Sequence, residues 1–567
     1  MDDSVKEKIR KLALQNAVEH EGKTQDKIIL SKALGTIPEL RKIVKEVAPI
    51  ISDIVNSINQ IPFEQQKSEI AKEFPDLLAE KPKKEEREGL PPLEGAEQGK
   101  VITRFPPEPN GYPHIGHAKA AIIDEEYARM YGGKLILRFD DTNPEAERLE
   151  YWAAIKVGLD WLGVKYHMVK NTSDDMELLY KKCLELINGG FAYLCTCKQE
   201  TVSANRREMK ACKCSLGDLE QNLERWEKMF SKYKQGEVIV RFRGDMKSEN
   251  TVMRDPVMCR IIEAKHPIHA DKYRVWPSYD FSVAIEDSID GVTHAFRTKE
   301  YELRNELYYA ILDALKMRKP KVIEFSRLGF EGMPVSKRIL RPLIEECKVS
   351  GYDDPRLPTL EALKRRGITP EAIRKFVLSL GFTKADTLAP FDTLESLNRK
   401  IVDADSIRLH MVRNPAKMKI SGMPSAITLP NHPTKDIGTR EIILDENLYI
   451  ESEDIKNLKT GDELRLMGLG NVQITKTEPL EGKYAGEELK PQIPKVQWVV
   501  QKDAQKIKIL IPSQLFIGEQ FNEKSLEEID VFVESYYSQL KEGKEIQFVR
   551  FGYCRKDSVL QAIYTHK

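Results

Sequence analysis

Thr103-Arg104-Phe105-Pro106-Pro107-Glu108-Pro109-Asn110-Gly111-Tyr112-Pro113-His114-Ile115-Gly116-His117 reads as the end of a strand, a proline-stiffened turn and the first turn of a helix. Working outward, KVITRF (100–105) is a β run, HAKAAIIDEEYARMYGG (117–133) is a helix closed by glycines, and KLILRF (134–139) is a second β run. Helical spacing over 145–163 and the run KYHMV (165–169) continue the alternation, which implies a parallel sheet wound as βαβ units. Residues i and i+3 share a face in the first helical turn, so His114 and His117 can address one ligand. The helix N-terminus adds unpaired N–H groups and positive potential that favour a phosphate. Gly116, between the histidines, lets a flat ring approach the backbone. A lone His-x-x-His more often packs or caps a surface loop; the strand–turn–helix setting is what argues for a site here.

The chain has 567 residues, too many for one core, and about three to five domains are expected. At 41% hydrophobic and 31% charged residues it has the balance of a soluble globular protein. Lys plus Arg and Asp plus Glu are 89 each, so any RNA surface must come from local segregation of charge. No run of about 18 apolar residues occurs and the first residues lack an apolar signal core, so neither a membrane span nor secretion is expected and the location read is cytoplasmic. Of eight cysteines, four cluster as Cys195, Cys197, Cys212 and Cys214. Without an export signal, clustering argues for metal before disulfides.

Residues 1–79 carry helical periodicity, with Pro49 expected to kink or split one helix, and 80–100 is a charged segment read as a solvated linker. The α/β pattern starts at 101, is interrupted by the Cys-, Lys- and Arg-rich stretch at about 191–250, and resumes with VMCRIIEA (257–264). Helical spacing returns from about 357 to 410, and after about 416 short β segments separated by Gly, Pro and Asn suggest β-barrels.

A second segment, Met333-Pro334-Val335-Ser336-Lys337-Arg338, follows the strand VIEFSRLGF (322–330). Nearby glycines suggest a mobile loop, and two adjacent cations with a hydroxyl suit a polyphosphate. Ser-Lys-Arg alone carries no weight, being ordinarily solvated surface. His114–His117 matches the HIGH signature of class I aminoacyl-tRNA synthetases letter for letter, and Pro334–Arg338 resembles a degenerate KMSKS loop in which Pro334 and Val335 replace the usual lysine and methionine. TRFPPEPNGYPHIGHAKA, LRFDDTNPE, VMRDPV, WPSYDF, DGVTH and LNRKIVDADSIRLHMV resemble, in order, the glutamyl/glutaminyl subclass, and the chain is similar to its archaeal/eukaryotic-type glutamyl members.

The resemblance implies a multidomain α/β architecture built on a Rossmann-type doubly wound sheet. Its expected parts are a helical N-terminal extension (1–79), a linker (80–100), two catalytic halves (101–190 and 253–345), an inserted acceptor-end-binding domain (191–252), a helical connecting domain (346–415) and anticodon-binding β-barrels (416–567). It implies ATP with Mg²⁺, glutamate and tRNA(Glu) as ligands, with tRNA(Gln) as a further acceptor in many archaeal relatives, and no DNA or membrane. Carried over by position, His114, His117, Lys337 and Arg338 are catalytic. Pro107, Glu108, Asn110, Gly111, Gly116 and Ser336 join His114, His117 and Lys337 in binding ATP. Arg104, Asp140, Tyr279 and Arg297 hold the amino acid, and the four cysteines hold a structural Zn²⁺ whose flanking Lys198, Arg206, Arg207, Lys210 and Lys213 face the acceptor end.

Glutamate and glutamine differ physically by one negative charge, which a fixed guanidinium can meet bidentately. Glutaminyl enzymes typically have a cysteine where this chain has Arg297, which argues for glutamate. The alternatives are an Arg297 that merely pairs with Glu300 or Glu302 at the surface, a glutaminyl enzyme, or a tRNA-binding relative without catalysis.

Overall fold

The computed structural model describes residues 3–19, 22–36, 40, 44–73 and 90–567. They fall into two units, 1–88 and 89–567.

The first unit is helical: α1 (Asp3–Glu19), α2 (Asp26–Thr36), α3 (Val44–Asn59) and α4 (Phe63–Glu73). Val47, Ile51, Val55 and Ile58 repeat at helical spacing and are buried against Ile9, Leu14, Ile29 and Ile70. Of the kink or split expected at Pro49, the split does not occur; α3 runs through it. Proline removes only one hydrogen bond, and the buried stripe on either side holds the helix.

In the second unit, β1 (Ile102–Phe105), α5 (Ile115–Met130), β2 (Lys134–Phe139), α6 (Leu149–Trp161) and β3 (Met168–Asn171) follow one another, and β1–β2 and β2–β3 pair in parallel. After α7 (Met176–Asn188), β4 (Ala192–Cys195) enters an antiparallel sheet with β5 (Ile239–Phe242), β6 (Val257–Ile261) and β7 (Val275–Pro277); α8 (Gln199–Arg207) and α9 (Leu219–Met229) lie between β4 and β5. Then α10 (Tyr279–Ile289), β8 (His294–Thr298), α11 (Asn305–Ala314) and β9 (Lys321–Phe325) complete the α/β part, with β8 and β9 parallel. The Thr293 N–H donates to Ile102 O at 2.9 Å, and the Ile102 N–H to Thr293 Oγ1 at 2.9 Å, joining β1 to β8. The order is therefore β3-β2-β1-β8-β9. Strand order reverses between β1 and β8, and in open α/β sheets ligands bind at the C-terminal ends of the strands flanking that point.

Two expectations are corrected. The run at 257–264 does not return the chain to the parallel sheet; β6 pairs antiparallel with β5 and β7. A short apolar strand buried on both faces looks the same in either sheet, so pattern could not separate them. The linker expected at 80–100 also fails in part. Residues 80–89 lie outside the described residues, but Leu90 and Leu93 are buried in the core around α5 and the Leu93 N–H donates to Tyr131 Oη at 2.8 Å.

Beyond β9, α12 (Lys337–Glu345) follows the 331–336 loop, and α13 (Leu360–Arg366), α14 (Pro370–Ser379) and α15 (Phe391–Val402) add Leu360, Leu363, Ile373, Phe376 and Leu394 to the core around α5. Two seven-stranded sheets end the chain. In one, the outermost strands Ile407–Leu409 and Met411–Val412 are separated by a single residue; in the other, Lys495–Val496 and Trp498–Val500 are likewise consecutive. Each sheet must curl to bring its edges back to one stretch of chain, which makes it nearly closed and leaves little open edge. The second sheet, with Pro415–Ser421 and Asn447–Glu451, is contributed wholly by chain that departs from and returns to the first. No helix among the described residues is long and apolar enough to cross a membrane.

Candidate active site

The turn after β1 is pinned from outside: Ile115 N–H donates to Pro358 O and Leu360 N–H to Pro113 O, both at 2.9 Å. His114 is the N-cap of α5 and its Nδ1 accepts the Gly116 N–H at 3.1 Å, while His117 Nδ1 accepts the His114 N–H at 3.2 Å. The capping box thus uses imidazoles where Ser and Glu are usual. With Nδ1 accepting, the neutral ring carries its proton on Nε2. Burial first, then Lys337, depresses His117 to about 4; burial, His117 and Lys337 hold His114 well below its usual value. The ring centroids lie 4.0 Å apart. Two neutral Nε2–H donors therefore stand side by side at a helix N-terminus. A Cβ at Gly116 would lie 2.9 Å from the His114 ring, so this glycine makes room for the histidine itself.

Lys337, the first residue of α12, reaches across to this turn. Its Nζ donates to the Asn110 carbonyl and to Asn110 Oδ1, and sits 5.8 Å from the Tyr151 ring centroid. A Cβ at Gly111 would run into the Lys337 side chain, so the lysine needs glycine beneath it. Ser336 caps α12 without a side-chain hydrogen bond. Arg338 is exposed on α12.

A cavity of about 500 Å³ opens at the C-terminal ends of β1 and β8. Pro107, Glu108, Asn110 and His117 line it together with Arg104, Asp140, Tyr279 and Arg297. Gly111, His114, Gly116, Ser336, Lys337 and Arg338 are not part of its wall.

Four of the wall groups keep unsatisfied polar atoms, Asp124 Oδ1 among them. Asp140 Oδ1 accepts from Arg138 Nε at 3.0 Å and Thr172 Oγ1 at 2.9 Å, whereas its buried Oδ2 has no partner. Burial raises the Asp140 carboxyl above its usual range, with Arg138 opposing. Arg104 Nε binds Asp287 Oδ1 at 3.0 Å and its Nη1 binds Phe296 O at 2.7 Å, leaving Nη2 without a partner. Arg297, 4% exposed, donates only from Nη1, to Asn305 Oδ1 at 3.3 Å; its Nε and Nη2 are buried and unpaired. Tyr301, Tyr308 and Tyr279 lie around the guanidinium, with ring centroids 5.1, 5.5 and 5.7 Å away. A surface ion pair does not form: Glu300 is held by Arg327, and Glu302 lies 3.5 Å from Lys384. A buried cation facing a cavity with two free donors is costly unless an anion meets it.

Sequence reasoning missed the group that organises this wall. Asp287 in α10 is fully buried, and its Oδ1 accepts from both Arg104 and, at 2.8 Å, Arg138 Nη2. Its Oδ2 accepts the Tyr308 hydroxyl at 3.1 Å. One carboxylate therefore sets Arg104 directly, Asp140 through Arg138, and the ring under Arg297 through Tyr308. The available signal was a pair of acids, Glu286-Asp287, following the apolar run Val283-Ala284-Ile285 in the helix.

A second cavity, of about 790 Å³, shares Arg260, Tyr279 and Arg304 with the first and runs past Arg206, Arg207 and Arg254 to Cys195 and Cys197. Of the expected cations, Arg206 and Arg207 line it, while Lys210 pairs with Glu208 at 2.8 Å. The four cysteine Sγ atoms all lie within 4.8 Å of one another, with Cys195–Cys212 at 3.7 Å and Cys197–Cys214 at 3.8 Å. A tetrahedron with Zn–S bonds of ~2.3 Å has S–S edges of about 3.8 Å, so the donor set fits a tetrathiolate metal site. Tyr193 Oη and Arg241 Nη1 approach Cys212 Sγ at 3.6 and 3.7 Å, as outer partners of such a site do.

The chain matches the catalytic domain of the class I (E and Q) tRNA synthetases over residues 100–404, and their two anticodon-binding domains over 406–490 and 495–557. It belongs to the class I (E and Q) tRNA synthetases. The catalytic-domain match of this synthetase spans both cavities and the four cysteines, and the anticodon-binding matches fall on the two curled sheets. A glutamate–tRNA ligase of Nitrosopumilus maritimus is 65% identical over the full length of both chains. Those of Cenarchaeum symbiosum and Korarchaeum cryptofilum are 57% and 40% identical, each over 98% of both chains.

Proposed function

We propose that this synthetase activates glutamate with ATP and transfers it to the 3′-terminal adenosine of tRNA(Glu). The observation that carries the choice of amino acid is the buried Arg297, its Nε and Nη2 without a protein partner, in the same cavity wall as the open Oδ2 of Asp140. The first suits a side-chain carboxylate and the second an α-ammonium, with Arg104 Nη2 as a further carboxylate donor and Tyr279 as wall.

Activation needs no general base, because the α-carboxylate is already an anion and attacks the α-phosphate directly. Catalysis is then positioning and stabilisation of charge on the phosphates. His114 and His117 offer Nε2–H donors to ATP, with Pro107, Glu108, Asn110 and Gly111 shaping its seat and Gly116 making room for the rings. Lys337 exchanges Asn110 for the departing pyrophosphate, supported by Ser336 and Arg338. Mg²⁺ arrives with ATP, bound mainly by phosphate and water. The arginine-lined cavity suits the phosphates of a single-stranded acceptor end, and the curled C-terminal sheets suit splayed anticodon bases. Zn²⁺ held by Cys195, Cys197, Cys212 and Cys214 would staple the wall of that cavity.

Charging assays with purified tRNA(Glu) and tRNA(Gln), each offered glutamate or glutamine, test the reading. Glutamate attached to tRNA(Glu) is expected; glutamine on either tRNA, with no glutamate transfer, would sink it. Glutamate on tRNA(Gln) would add a second acceptor without altering the chemistry.

The metal has its own expected result. The purified protein carries about one zinc per chain, and Cys212→Ser releases it and lowers aminoacylation. Metal analysis decides: fully active protein without zinc refutes the structural role.

A further inference from the structure

Three carboxylates around Arg297, those of Asp280, Glu300 and Glu324, are each engaged by a different cation. Asp280 pairs with Arg304, Glu300 with Arg327, and Glu324 with Lys384 at 3.0 Å. Glu324 is the closest in sheet register, being the direct partner of Arg297 across β8 and β9. Between them stands Asn305, the first residue of α11. Its Oδ1 accepts from Arg297 Nη1 at 3.3 Å, and its Nδ2 donates to Glu324 Oε1. The amide therefore faces a cation with its acceptor and an anion with its donor. It keeps the two apart while hydrogen-bonding both.

We infer that Asn305 is a specificity-determining positioning residue: a neutral spacer that orients Arg297 and keeps Glu324 from neutralising it, so that its charge is reserved for the substrate's carboxylate. A carboxylate in this place would hold the guanidinium equally well but satisfy its charge from within, and the pocket would lose its preference for an acidic side chain. A hydrophobic or small residue would leave the charge available but the geometry slack. Charge and orientation are thus separable at one position. The inference rests on the proposed glutamate activity.

The test compares Asn305→Asp, which has almost the same shape, with Asn305→Ala, reading aminoacylation of tRNA(Glu) with glutamate and with glutamine. Asn305→Asp is expected to lower kcat/KM for glutamate on the order of 100-fold, mainly through KM. KM for ATP stays near wild type, and glutamine use changes less than about threefold. Asn305→Ala should cost glutamate only about tenfold or less and keep glutamate preferred over glutamine. Asn305→Asp places two carboxylates together, so Asn305→Asp/Glu324→Gln is made alongside it. That pair has one carboxylate and one amide, as the native pair does, and carries the same expectation if the single variant does not fold. Equal losses in the Asp and Ala variants, or undiminished glutamate use in the Asp variants, overturn the inference. A wild-type enzyme that prefers glutamine overturns the proposed function instead, and is read before any variant.

Discussion

Arg297→Cys lowers kcat/KM for glutamate by about two to three orders of magnitude and leaves KM for ATP close to wild type. Breaking a buried, hydrogen-bonded charge pair costs roughly 3–5 kcal/mol, and here the pair forms only when substrate arrives. Within the protein the buried guanidinium's Nε and Nη2 meet no acceptor and only Nη1 is bonded, to Asn305, so the substitution removes little from the fold while removing the attraction for the substrate's carboxylate. Unbound protein should therefore lose little stability, and thermal melting should show a midpoint close to wild type. This separates a specificity residue from a scaffold residue. Pyrophosphate exchange at varied glutamate and ATP is the measurement; unchanged glutamate kinetics would remove the argument from charge.

Asp287→Ala has the opposite profile. The folded protein should lose about 3–5 kcal/mol, because Arg104 and Arg138 are both left buried without their shared carboxylate. That is a large share of a typical domain's total stability of about 5–15 kcal/mol, so aggregation or a strongly lowered melting midpoint is expected. Asp287→Asn keeps the volume and the Tyr308 contact and should fold better, yet bind glutamate poorly. The native group also has an acid signature. Burial raises its carboxyl, but Arg104 and Arg138 outweigh burial and hold it below its usual range. A depressed carboxylate stabilises the fold above the unfolded-chain pKa, and that stabilisation is lost as pH falls through the folded value. Below about pH 4 the wild type should therefore lose an increment of stability that the Asn variant lacks. Denaturant titrations between neutral and acid pH would show the two curves converge; parallel curves would contradict the hub.

How much of this was legible follows from what each signal depends on. His114 and His117 were readable because capping and i,i+3 geometry are local, and the structure places both at the start of α5 with their rings 4.0 Å apart. The curled sheets were readable because alternation and turn residues are local too. Arg297 was placed by resemblance, but its burial and lack of a carboxylate partner depend on where Glu300, Glu302 and Glu324 find other cations, which only tertiary structure decides. Asp287 was missed for the same reason, since an acid inside a helix looks like a solvated face until two arginines from β1 and β2 arrive. The strand Val257–Ile261 carries a pattern compatible with two sheets, and the competition was settled by neighbours far away in sequence. Pro49 shows the reverse, a helix that continues past its proline where a buried apolar stripe holds both sides.

The two C-terminal sheets also set a timetable for biosynthesis. The outer sheet pairs Ile407–Leu409 with Glu545–Phe548 and places Gln561–His566 among its central strands, so it cannot be completed until residues beyond 545 have been made. By then the inner sheet's strands, which end at Val500, have all emerged. The inner unit can therefore be finished while its host still lacks its middle, and the lesser hazard falls to the part exposed longest. Nascent chains stalled far enough past residue 500 for that strand to clear the ribosome would carry one anticodon-side module sealed and the other still incomplete.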